Sequence, residues 1–263
     1  MNQEVVRFQD TLLPARIDAF SPGWILERFR KCAESYGLDL VTDHLIFKKL
    51  REIQVGALFA LGLSRARNRE HWVASVPERE QTPDVYAYSF GQHPSILGGL
   101  RLEKLHVELK EWDHRNEEDL TEYLRQVLAR KKYPQNFHIV VYANKQGRHL
   151  DLPSISKRVI ESGISNAWIW LLTTVDLDSA PDSYVLACLN REPGQIDFRL
   201  SNELRKWKEQ LQALKLRRGI FRGVPNLEGF VDVSMPTLTS DVKEMLFKDP
   251  PSAHAQYSKF KVI

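Results

Sequence analysis

The chain has 263 residues, 43% hydrophobic and 27% charged, which supplies a sizeable core and excludes a wholly disordered protein. A formal net charge of +3 permits nucleic-acid contact without requiring it. Two distant cysteines, Cys32 and Cys188, exclude a disulfide framework and a CxxC zinc site.

The amino terminus, MNQEVVRFQD, lacks the basic-then-apolar pattern of a secretory leader. The longest apolar run, AWIWLL, falls far short of a membrane span, so a cytoplasmic protein without membrane contact is expected. In SPGWILERFRKCAESYG, Ser21 reads as a helix cap, Pro22 as the first helical position and Gly37 as the stop. A second helix is expected from about residue 43 to residue 63. Leu50, Ile53, Ala57, Leu58 and Leu61 form its apolar stripe, and Glu52 lies near its middle.

The period then shortens to two. EHWVASV, DVYAYSF and LEKLHVELKEW read as three successive strands, the last directing Leu105, Val107 and Leu109 inward. RNEEDLTEYLRQVLARKKYP reads as a helix with acidic residues early, basic residues late and Pro134 as the stop. FHIVVYA and AWIWLL are nearly continuous apolar runs, the pattern of strands buried on both faces. DLPSISKRVIESG between them is a short helix, SYVLACLN a further strand, and SNELRKWKEQLQALKLRRG a last helix. The tail beyond Pro225 is expected to be irregular. A meander of strands followed by alternating helices and strands predicts an α/β protein with a mixed sheet flanked by helices on both faces.

HVELKEWD carries the chemistry. Side chains two apart in a strand share a face, so Glu108 and Lys110 stand side by side, flanked by His106 and Trp112. An acidic residue two before a lysine recurs by chance, and Asp241 with Lys243 repeats it at a helix start. Pro181 and Asp182 likewise repeat the Pro83 and Asp84 pair. Context separates the two sets: Asp84 opens the strand directly before the one with Glu108 and Lys110. A helix and a buried strand follow.

With TPDVYAY followed by HVELKEW, residues 43–145 resemble the PD-(D/E)xK, or restriction-endonuclease-like, nuclease superfamily. The resemblance implies a nuclease core over residues 43–175, after a helical segment at 1–42. A C-terminal extension with a strand and a basic helix would occupy 176–263. It further implies a Mg²⁺- or Mn²⁺-dependent endonuclease acting on DNA in restriction, antiphage defence, repair or mobile-element processing. Asp84 and Glu108 would be the metal ligands, with the Leu109 carbonyl beside them. Lys110 would orient or deprotonate the attacking water, or steady the phosphate. Glu52 matches the helix glutamate that joins many such sites.

These residue types suit phosphodiester hydrolysis. A hard cation neutralises developing charge, and Mg²⁺ needs only one or two carboxylates besides phosphate and water oxygens. As a half-exposed lysine, Lys110 is expected to be replaceable without loss of the fold. His106 shares the Glu108 face, more as a polar neighbour than as a catalyst. SGISNA around Ser165 precedes its strand, the wrong order for a hydrolase elbow, and no P-loop or dinucleotide fingerprint occurs. From Arg199 to Arg222 eight basic residues face two acidic ones, which suggests a phosphate-facing surface at Lys215, Arg217, Arg218 and Arg222. Trp207 fits either stacking on bases or a buried stripe. Target specificity is expected from the flanking regions, a homodimer or a partner protein. The alternative is a non-catalytic nucleic-acid-binding or assembly protein that keeps the nuclease fold.

Overall fold

The computed structural model describes residues 4–5, 19–76, 83–92, 100–113, 118–129, 131–143, 150–164, 166–176, 180–191, 194–216, 224–226 and 229–231. After β1 (Glu4–Val5), the chain enters α1 (Pro22–Tyr36) at Ser21. The Ser21 hydroxyl accepts the Trp24 amide at 3.3 Å. Gly37, at φ 89°, ends the helix with its amide on the Ala33 carbonyl. Both signals act as the sequence reads.

The second helix is divided. α2 (Leu38–Asp43) and a 3-10 turn (Leu45–Phe47) precede α3 (Lys48–Arg67), which moves Glu52 from the expected middle to the second turn. α3 is also buried nearly all round between Ile53 and Leu63, where a single stripe is expected. The reason is tertiary: the sheet covers one side and α1 another, and an element enclosed in this way does not need a polar face.

β2 (His71–Ser75), β3 (Val85–Gln92) and β4 (Leu100–Trp112) form an antiparallel meander. α4 (Leu120–Leu128) starts where Asp119 Oδ1 accepts the Thr121 and Glu122 amides at 2.8 and 3.0 Å. It stops before the expected Pro134. β5 (Lys131–Lys132) instead pairs with β1, and Tyr133, being followed by proline, is biased towards extended backbone. β6 (Phe137–Ala143), α5 (Leu152–Ser162) and β7 (Trp168–Asp176) follow in the expected order.

β8 (Ala180–Cys188) is joined by β9 (Gln195–Arg199), a strand absent from the sequence reading. Its burial alternates weakly, and edge strands carry the faintest pattern. α6 (Leu200–Leu216) comes next, and β10 (Val224–Asn226) pairs with β11 (Gly229–Val231), giving local order where an irregular tail is expected. The 93–99 connection and Asp241 with Lys243 lie outside the described residues.

The main sheet has seven strands in the order β2-β3-β4-β6-β7-β8-β9. β4 is antiparallel to β3 and parallel to β6, so the sheet changes sense at the strand that carries HVELKEWD. Alternation along β6 divides the core. Val140 joins the cluster under α1 and α3, while Ile139 and Val141 join the cluster under α4 and α5. Helices therefore pack on both faces. No helix among the described residues is long and apolar enough to cross a membrane.

Candidate active site

β4 alternates as its sequence requires. Val107 is fully buried, with Leu105 and Leu109 packed beside it, in the cluster under α3. Its other face carries His106, Glu108, Lys110 and Trp112. Glu108 is only 3% exposed, an unusual place for a carboxylate. Its Oε1 draws the cations and donors: Lys110 Nζ at 2.7 Å, the Tyr133 hydroxyl at 3.2 Å and Lys131 Nζ at 3.8 Å. Oε2 is buried and has no hydrogen-bond partner among the described residues.

Asp84 immediately precedes β3. Its amide donates to the Val107 carbonyl at 3.0 Å, and its Oδ2 accepts the Leu109 amide at 2.7 Å. The Asp84 carboxylate is thus fastened to the residue that lies between Glu108 and Lys110. Burial, and then the Glu108 charge, push its carboxyl up to about 6, against the pull of the Leu109 amide. Glu52 adds to the upward push, so three acidic groups act on one another here. The Glu52 carboxylate itself is held by Lys49 at 2.7 Å and Lys48 at 3.6 Å.

Asp84, Glu108 and Lys110 therefore meet at β4, and Glu52 approaches from α3. His106 is buried, stacked on Phe137 at 5.3 Å and edge-on to Tyr86 at 5.5 Å, as a core neighbour. Trp207 on α6 packs against the Gly23 backbone of α1, which favours its buried reading over base stacking. The Lys215 side chain, Arg217, Arg218 and Arg222 lie outside the described residues. The second Pro-Asp pair has a structural task, since Asp182 accepts the Ser201 amide and hydroxyl at the start of α6.

Sequence alone does not single out Tyr133 and Lys131, because KKYP reads as a helix end. The proline after Tyr133 is the signal that places it in extended chain entering β6. Burial, then the Glu108 charge, push the Tyr133 phenol upwards, so it is a hydrogen-bond donor at neutral pH.

No protein-family model, curated protein or solved structure matches this chain. Among the described residues, no group of three or more His, Cys, Asp and Glu side chains forms a ready metal cage. Two carboxylates, one with a buried oxygen left open, still suit a hard cation that completes its shell with water and phosphate oxygens.

Proposed function

We propose that the chain is a metal-dependent nuclease of the PD-(D/E)xK, restriction-endonuclease-like type that hydrolyses DNA phosphodiester bonds. The observation that carries this reading is the fastening of the Asp84 carboxylate to the Leu109 amide, between Glu108 and its Lys110 partner.

Asp84 and Glu108 would hold Mg²⁺ or Mn²⁺, which when bound neutralises charge on the phosphate and makes water a stronger acid. Lys110 would orient the attacking water or steady the phosphate charge with its ammonium; to take the water's proton it would first have to give its own proton to solvent. Glu52, whose charge adds to the upward push on Asp84, would join the site from α3.

One observation favours a second reading. Lys110 and Glu108 Oε1 already form an ion pair at 2.7 Å, which would equally hold β4 in a non-catalytic nucleic-acid-binding or assembly protein. Digestion of supercoiled plasmid with Mg²⁺, Mn²⁺ or EDTA separates the two. The nuclease reading expects metal-dependent cutting that falls at least about 100-fold in Lys110→Gln, a change that keeps a donor towards Glu108. Cutting by Lys110→Gln at the parent rate, or no metal-dependent cutting by the parent, would remove the proposal.

A further inference from the structure

We infer that Tyr133 is a positioning residue that orients the Glu108 carboxylate towards a divalent cation, a role that rests on the nuclease reading. A carboxylate has two oxygens to share among its partners. Here Lys110, Tyr133 and Lys131 all approach Oε1, while Oε2 is buried with no hydrogen-bond partner among the described residues. A buried charged oxygen left without a partner is costly, so the arrangement makes sense where a cation supplies the missing contact.

The three groups at Oε1 are not equivalent. Lys110 and Lys131 sit on flexible four-carbon stems, with side chains 23% and 32% exposed. The Tyr133 ring is 6% exposed and packs against Phe137 with centroids 5.6 Å apart. Its hydroxyl therefore approaches from a fixed direction, and it sets which oxygen faces the donors and which faces away. Groups that fix a ligand carboxylate in this way commonly govern metal affinity by 10–100-fold.

The test is calorimetric titration of Mn²⁺ into the full chain, comparing the parent with Tyr133→Phe and Asp84→Asn, beside urea unfolding of each with Mn²⁺ or EDTA. Tyr133→Phe keeps the ring and removes only the hydroxyl. The expected result is a Kd raised about 10–100-fold in Tyr133→Phe, and a Mn²⁺-induced rise in unfolding midpoint that shrinks with it. Asp84→Asn should abolish binding. If Tyr133→Phe binds within about twofold of the parent, the inference fails and the cation site stands. A loss of stability equal in Mn²⁺ and EDTA would mark a merely structural hydroxyl and also overturn it. If the parent shows no binding that Asp84→Asn removes, the inference and the nuclease reading fall together.

Discussion

Glu108 changes what is expected of its neighbours. By sequence Lys110 reads as dispensable for stability, but it is bonded to a carboxylate that is 3% exposed. Removing it leaves a buried charge to Tyr133 and Lys131 alone, and such losses cost more than surface pairs do. Asp84 gives the clearest pH signature. Its folded pKa, about 6, lies above its ordinary 3.8, so the folded state holds the proton that the unfolded chain releases. Its contribution is therefore complete below about pH 4 and is lost as pH rises through about 6. His71 and His138 act in the opposite direction. Burial, more than nearby arginines, holds them near 4 and 3, so stability falls as pH drops from about 6.5. His138 accepts the Trp170 indole N–H at 3.0 Å, which requires the neutral ring. Between about pH 4.5 and 6 the two histidines and Asp84 partly cancel, leaving a net slope of roughly one proton, about 1.4 kcal/mol per pH unit. Asp84→Asn should approximately double that slope and stabilise the protein above pH 6 by up to about 2–3 kcal/mol. Urea titrations across this range check it, and parallel curves for parent and variant would refute the Asp84 assignment.

At the scale of elements, α1 and α6 depend on a close approach. A Cβ built on Gly23 would lie 2.5 to 2.9 Å from Trp207 side-chain atoms, too near for either helix to stay in place. Gly23→Ala should cost about 1–3 kcal/mol through overpacking. In a Trp207→Ala background the same change should cost clearly less, because the ring atoms at 2.5 and 2.7 Å are gone and only the Cβ contact at 2.9 Å remains. Thermal or urea unfolding of the four-member cycle measures the coupling, and additive costs would show that the contact does not set the helix spacing. The Lys208–Glu27 pair at 3.5 Å and the Arg65–Glu203 pair at 3.4 Å accompany this packing. Both involve partly exposed groups, so they guide orientation more than they stabilise it.

At the scale of the molecule, α1 shares a core with α3, and β8 and β9 continue the sheet that begins at β2. The basic concentration between Arg199 and Arg222 is our proposed route to DNA. Each phosphate contact releases counterions, so affinity should fall steeply with salt. Replacing Lys215, Arg217 and Arg218 together with Gln should flatten the slope by up to about three units while weakening unrelated duplexes alike. Fluorescence anisotropy with Ca²⁺ over a salt series measures this. An unchanged slope would make the run a solvated helix face and shift the search to the β4 site.

Much of the order of elements was legible because it is written locally. Ser21, Pro22 and Gly37 bound α1 by backbone geometry and capping, and the apolar runs of β6 and β7 announce strands covered on both sides. The shared face of Glu108 and Lys110 follows from strand period alone. What the chain could not state by itself depends on partners distant in sequence. α3 loses its polar face because α1 and the sheet enclose it, and α4 yields Tyr133 to the site because β5 finds β1. The burial of Glu108, the pull of Lys131 and Tyr133 on one of its oxygens, and the Leu109 amide on Asp84 arise only when strands 25 residues apart are brought together. A local pattern specifies which way a side chain points; tertiary packing decides how much water remains around it, and so how strongly its charge is felt.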